Sequence, residues 1–154
     1  MTQTTRSLNN ENPAKPDLCR ELTESLEDLY RRVDEEVQQS GVQCWLSGKC
    51  CDFEKMDHTL YASSLEIAFL REKYPEPYRA DSVLCPFWKE GLCVERDRRP
   101  LGCRTYFCDD NYSEELQAIY EKYHAEIKAL AQRYNIPYSY EPFVSALRGG
   151  NDHA

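Results

Sequence analysis

The sequence predicts a mainly α-helical domain of the small α+β class, in which three helices surround an irregular, cysteine-rich centre. Apolar residues recur at helical spacing in three separate segments, and proline, glycine and cysteine are concentrated in the region 75–112. The chain of 154 residues is long enough to bury one hydrophobic core. We expect a disordered lead-in over residues 1–16, a single domain over 17–147 and a frayed tail over 148–154.

The first helix is predicted over residues 17–40. Apolar side chains recur there at steps of three and four residues, and Gly41 follows as a stop signal. The apolar positions are Leu18, Leu22, Leu26, Leu29, Val33 and Val37. On a helical wheel Cys19 shares this apolar face, so we interpret it as a core residue and not as a ligand.

The second helix is predicted over residues 63–74, after a short extended stretch near 59–62. Ser63 and Glu66 have the spacing of a capping box, in which each side chain bonds the backbone N–H of the other residue. Pro75 follows, and a helix usually ends before a proline. These signals define both ends of the helix.

A β-hairpin is predicted in the middle of the chain and a long helix near its end. The segments LCPFW and LCVE flank the short turn KEG, and we expect them to pair. Ser113 is expected to cap a third helix over residues 113–134. Its apolar stripe consists of Leu116, Ile119, Tyr120, Tyr123, Ile127, Leu130 and Tyr134.

The charge of the chain argues against nucleic acid as a partner. The formal net charge is −8, with 27 acidic and 19 basic side chains, so phosphate backbones would repel the protein. The N-terminal residues contain no apolar segment of the kind found in secretory signals, and no apolar run approaches the length of a membrane span. We therefore expect a cytoplasmic protein without a membrane partner, in a compartment where disulfides are rare.

Seven of the eight cysteines fall into two groups that indicate metal ligation. The groups are Cys44, Cys50 and Cys51, and then Cys85, Cys93, Cys103 and Cys108. Thiolates are soft ligands suited to zinc, iron or an iron–sulfur cluster. A Cys50–Cys51 disulfide is disfavoured, because adjacent Cα atoms lie about 3.8 Å apart whereas a disulfide needs roughly 4.4–6.8 Å. Inert buried thiols and a disulfide scaffold are the alternatives.

Basic residues near the second group of thiols are candidates for hydrogen bonding to the metal-bound sulfurs. The run ERDRRPLGCR holds four arginines in an otherwise acidic chain. We expect Arg99 and Arg104, which flank Cys103, to donate N–H groups to thiolate sulfurs and offset their charge; the alternative is a solvated loop. His58 is a further, less favoured candidate ligand. His124 is expected to be half-buried at the edge of the apolar stripe of the third helix.

A resemblance to a known family is carried by two segments, CWLSGKCC and CPFWKEGLCVERDRRPLGCRTYFC. Together they resemble the YkgJ-type cysteine-cluster family, described as zinc- or iron-chelating domains, over roughly residues 42–110. The resemblance implies metal chelation by the seven cysteines. Ser47 stands where the family motif has its second cysteine. Either the site holds one thiolate fewer, with water, His58 or a partner's ligand in its place, or residue 47 lies outside the site.

The sequence favours a metal-binding domain with a structural or partner-docking role. One alternative is a redox enzyme or electron carrier that uses iron or an iron–sulfur centre. A second alternative is a thiol–disulfide redox sensor. No nucleophile elbow, glycine-rich phosphate loop or zinc-protease helix motif occurs in the sequence, so no catalytic residue is assigned and enzymatic activity is left open.

Overall fold

The computed structural model describes residues 18–42, 59–78, 85–90, 92–105 and 113–148. In chain order these residues form α1 (Arg20–Gln39), β1 (Tyr61–Ser63), α2 (Ser64–Lys73), β2 (Trp88–Lys89), β3 (Leu92–Cys93), α3 (Leu101–Thr105), α4 (Ser113–Arg133), β4 (Tyr140–Pro142) and α5 (Phe143–Leu147). A mainly helical structure with two small antiparallel sheets in these ranges confirms the predicted fold class. The predicted lead-in lies outside the described residues, as does the tail beyond residue 148.

The three predicted helices are present as α1, α2 and α4, and each end lies within three residues of its predicted position. α1 packs against α4 through its apolar face, which holds Leu22, Leu26, Leu29, Tyr30, Val33 and Val37. The facing side chains of α4 include Leu116, Ile119, Tyr123, Ile127 and Ala131. Gly41 follows α1 with a φ of 85°, a backbone conformation that glycine adopts without steric cost. None of the helices described is both long enough and apolar enough to cross a membrane.

Cys19 lies outside the core, and its prediction as a core residue is wrong. The residue precedes α1 with φ −66° and ψ 158°, so its backbone is extended and a helical wheel does not describe where its side chain points. Successive side chains of an extended chain point to opposite sides. Leu18 is accordingly buried while Cys19 is exposed.

α2 begins with the predicted capping box. The Glu66 N–H donates to Ser63 Oγ at 3.3 Å, and the Ser63 N–H donates to Glu66 Oε2 at 2.9 Å. The other carboxylate oxygen of Glu66 accepts from the Leu101 N–H at 2.7 Å and from the Tyr30 hydroxyl at 3.3 Å. Glu66 is buried, so one carboxylate joins the start of α2 to α1 and α3.

Two antiparallel strand pairs hold the second half of the domain together. β1 pairs with β4, with Tyr61 opposite Pro142, so the extended stretch predicted near 59–62 has its partner late in the chain. β2 pairs with β3, with Trp88 opposite Cys93, which confirms the predicted hairpin. These elements surround a second apolar cluster, whose buried members are Leu60, Ala62, Leu70, Cys85, Phe143 and Leu147.

Candidate metal centre

Three of the seven predicted ligands, Cys85, Cys93 and Cys103, lie in the described part of the chain. The other predicted site residues lie outside it; they are Cys44, Cys50, Cys51, Cys108, Ser47 and His58. Their ligand roles stay predictions. The structure therefore describes the second thiol group without its last member.

Trp88 connects Cys85 to Cys93 in the hairpin. The Trp88 N–H donates to the Cys85 carbonyl oxygen at 3.1 Å, which closes a tight turn. Cys93 is directly opposite Trp88 across the strand pair, and side chains of directly opposed residues lie on the same face. The Val94 N–H extends the pairing with a 2.8 Å bond to the Phe87 carbonyl oxygen. Trp88 is therefore hydrogen-bonded to the backbone of one predicted ligand and paired across the hairpin with another.

α3 brings Cys103 to the same region. Gly102, one residue earlier, packs so closely on Leu60 that an added Cβ would lie 2.6 Å from Leu60 Cδ1. Cys103 and Cys93 are both half-buried and pack against the second apolar cluster, of which Cys85 is a buried member. Three predicted ligands, from the turn before β2, from β3 and from α3, therefore pack on one apolar cluster.

The described thiols do not by themselves complete a metal site. Within the ranges that the structure describes, no three histidine, cysteine, aspartate or glutamate side chains lie close enough together to hold a metal ion. A structural zinc site uses about four ligands. Cys85, Cys93 and Cys103 therefore pack on one apolar cluster without lying close enough together to share a metal ion.

Arg104 is buried in α3 and binds the loop that precedes it. Its side chain is 2% exposed, and Nη1 donates to Asp34 Oδ2 at 2.6 Å. Nε and Nη2 donate to backbone carbonyl oxygens, at 2.9 Å to Arg99, 3.2 Å to Arg96 and 2.5 Å to Asp97. The guanidinium carbon lies 4.0 Å from the centre of the Tyr30 ring, a cation–π contact. None of these hydrogen bonds goes to sulfur, so donation from Arg104 to thiolates stays a prediction.

Two buried side-chain N–H groups of the described residues have no acceptor. Among the described residues, Trp88 Nε1 and Arg99 Nε are shielded from solvent and have no hydrogen-bond partner. A buried donor in this state costs about 1–3 kcal/mol. Burial is the main cause that lowers the pKa of Arg99, while the nearby Cys103 acts in the opposite direction. The expected donation from Arg99 to thiolate sulfur stays a prediction.

Glu95 is a buried carboxylate beside the thiols that the sequence analysis missed. It is 1% exposed, and it accepts from Lys73 Nζ at 2.7 Å, the Tyr74 hydroxyl at 2.5 Å and the Arg98 N–H at 3.0 Å. Burial disfavours its charged form, but these hydrogen bonds outweigh burial and lower the pKa of Glu95. Its carbonyl oxygen lies 3.4 Å from Cys93 Sγ. No sequence pattern marks this residue, because a single loop glutamate is normally solvated.

His124 is half-buried on α4, as expected. Its Nε2 shares a 2.5 Å hydrogen bond with the Tyr138 hydroxyl, and its ring contacts Tyr120 and Tyr140. Burial, followed by the charge of Lys128, lowers the pKa of His124. Its contacts are those of a packed aromatic side chain.

Comparison with known proteins adds no assignment to these observations. No family model, no curated protein and no solved structure matches the chain. The resemblance to the cysteine-cluster family therefore stays a prediction that its motif residues alone support.

Proposed function

We propose that the chain binds zinc or iron through cysteine thiolates, and that the metal stabilises the irregular centre of the domain. The observation that supports this proposal is that three predicted ligands, Cys85, Cys93 and Cys103, pack on the same apolar cluster. Cys85 lies in the turn before β2, Cys93 in β3 and Cys103 in α3. The proposed ligands are Cys85, Cys93 and Cys103, together with members of the set Cys44, Cys50, Cys51 and Cys108.

The surroundings of these thiols suit a thiolate centre. Ligation requires deprotonated sulfur, so a loaded site carries negative charge. Arg99 and the buried Arg104 bring positive charge close to Cys103.

A structural role is favoured because the elements that carry the thiols are short. β2 and β3 contain two residues each, and α3 contains five. An isolated hairpin or a single helical turn is marginal in water without further support. A metal held by thiolates from both would link them, and its binding energy would then be part of the folding energy. The alternative is a redox-active iron or iron–sulfur centre at the same place. The identity of the bound metal distinguishes the two roles.

Elemental analysis and an absorption spectrum of protein purified without oxygen test the proposal. We expect tightly bound zinc or iron, and a loss of helical circular dichroism when a chelator removes it. A colourless zinc protein supports the structural role, whereas a coloured, reducible centre supports the redox alternative. Metal-free protein whose circular dichroism does not respond to chelator or to added metal would contradict metal binding.

A pair of cysteine variants provides the matched control. Cys103→Ala removes a proposed ligand and should abolish stoichiometric metal. Cys19→Ala removes an exposed thiol before α1 and should leave both metal content and stability close to wild type. Equal metal content in the two variants would show that Cys103 is not a ligand.

A further inference from the structure

The chain reverses direction after α4 and returns along that helix as residues 136–142, which we call the return segment. Asn135 has a φ of 54°, and the Ile136 N–H donates to the Ala131 carbonyl oxygen at 2.8 Å. A residue in the left-handed conformation followed by such a bond is typical of a helix C-terminus. The return segment therefore begins at a defined turn and ends with β4.

One side of the return segment is hydrogen-bonded to the start of α2. The Ser64 N–H donates to the Ser139 carbonyl oxygen at 2.8 Å. The Ser64 hydroxyl donates to the Pro137 carbonyl oxygen at 2.7 Å and accepts from the Ser139 N–H at 2.9 Å. None of these groups titrates near neutral pH, so this side of the return segment does not respond to mild acid.

Aromatic side chains hold the other side of the return segment against α4. The centre of the His124 ring lies 4.8 Å from that of Tyr140 and 6.2 Å from that of Tyr138. His124 Nε2 shares a 2.5 Å hydrogen bond with the Tyr138 hydroxyl. The hydroxyls of Tyr120 and Tyr140 are hydrogen-bonded to each other. Histidine is the side chain of this contact that ordinarily titrates between pH 5 and 8.

The groups around His124 favour its neutral form. Burial is the largest cause that lowers the pKa of His124, and the positive charge of Lys128 adds to this effect. The Lys128 ammonium also lies 5.6 Å from the centre of the Tyr138 ring, one helical turn from His124. Glu66 of α2 acts in the opposite direction, but its carboxylate already accepts hydrogen bonds from other groups. Burial raises the pKa of Tyr138 to about 12 and also raises that of Tyr120, so neither phenol ionises near neutral pH.

We propose that His124 is a pH-sensitive switch, whose protonation releases the Tyr138 and Tyr140 side of the return segment from α4 as the pH falls below neutral. A charged imidazole in the closed contact remains half-buried beside the Lys128 ammonium, whereas opening exposes it to water. The inference goes beyond the proposed function, because none of the proposed metal ligands takes part.

The sign of the effect follows from the pKa of His124. Its pKa in the closed contact is below the ordinary value of 6.5. The stabilising contribution is therefore fully present above pH 6.5 and is lost as the pH falls through the lower pKa of the closed contact. A difference of one pKa unit between the closed and open states changes the opening equilibrium about 10-fold.

Hydrogen exchange of the full chain, followed by mass spectrometry at about pH 7.5 and about pH 5.5, tests the inference. Rates are corrected for the intrinsic pH dependence of exchange, and peptides from α1 report the stability of the whole domain. We expect the protection of the return segment, relative to α1, to fall about 3-fold or more at the lower pH. His124→Gln keeps a hydrogen-bonding side chain that cannot gain a proton in this range, so its relative protection should be the same at both pH values.

Two further variants separate the titration of His124 from other effects of acid. Lys128→Gln removes the neighbouring positive charge at an exposed position and should move the midpoint of the response to higher pH. His153→Gln removes a histidine elsewhere in the chain and should respond as wild type does. An NMR titration of the His124 ring protons gives its pKa directly, and we expect a value below 6.5.

The outcomes distinguish the inference from the proposed function, provided that all samples contain the same concentration of zinc. The inference is wrong if wild type shows no change in relative protection, or if His124→Gln keeps the wild-type response. If His124→Gln does not fold, Lys128→Gln decides, and an unchanged midpoint contradicts the inference. If the protein binds no metal but the return segment responds as expected, the proposed function fails and the inference stands.

Discussion

Replacing Arg104 by methionine removes the guanidinium that binds the loop before α3. The side chain is 2% exposed and donates four hydrogen bonds, one to the Asp34 carboxylate and three to backbone carbonyl oxygens. Methionine is similar in length and apolar, so it fills most of the space without restoring any of these bonds. The change therefore isolates the polar contribution of Arg104 to folding.

The structure sets the expected magnitude. Asp34 is 49% exposed, so its ion pair with Arg104 contributes at most about 1 kcal/mol. The larger loss comes from the three carbonyl oxygens, because a hydrogen bond to a charged donor contributes about 1.5–3 kcal/mol. Some of these carbonyls regain water when the loop relaxes. We therefore expect Arg104→Met to lower the free energy of unfolding by about 2–4 kcal/mol, because the carbonyl oxygens that do not regain water are left unsatisfied at about 1–3 kcal/mol each.

Urea unfolding followed by circular dichroism measures this loss, at one fixed zinc concentration because a bound ligand shifts stability. Asp34→Asn is the matched control and should lose about 1 kcal/mol or less. Arg104→Lys keeps the charge but lacks the planar fork that reaches several carbonyls, so it should lose most of what the methionine variant loses. The reasoning would be refuted if Arg104→Met and Asp34→Asn lost equal free energies of unfolding, or if Arg104→Lys were as stable as wild type. In either case the charge alone would account for the stability.

Three further predictions follow from single side chains. Glu66→Gln places an NH₂ group against N–H and O–H donors and should cost about 1–3 kcal/mol of stability. Glu72→Gln, which weakens only the ion pair with Arg98 at the surface of α2, should cost about 1 kcal/mol or less in the same urea assay. The pKa of Glu95 is lower folded than its ordinary value of 4.5, so its stabilising contribution is present above that pH and is lost as the pH falls below it. Wild type should therefore lose stability more steeply than Glu95→Gln on acidification, and parallel curves would contradict this. Ser47→Cys should slow metal exchange in a chelator competition if residue 47 faces the metal; an unchanged rate and spectrum would place it outside the site.

Local signals in the sequence were sufficient for most of the secondary structure. The apolar spacing of α1 and α4 is a property of neighbouring residues on one helix, and it predicts the buried face wherever the backbone is helical. The Ser63–Glu66 capping box and the hairpin across KEG are also local, because their partners lie a few residues apart. Cys19 shows the limit of this reasoning, since the helix begins one residue later and the wheel has no meaning before it.

By itself, the sequence determined the fold class, the three long helices and the candidate thiols. Tertiary structure alone decided that Cys85, Cys93 and Cys103 pack on one apolar cluster, because its other members, such as Leu60 and Phe143, come from distant segments of the chain. It also decided the roles of Arg104 and Glu95, whose residue types are normally solvated. Burial makes their hydrogen bonds consequential, and burial of a charged side chain depends on partners contributed by distant segments. For that reason no pattern of neighbouring residues predicts the burial of Arg104 or Glu95.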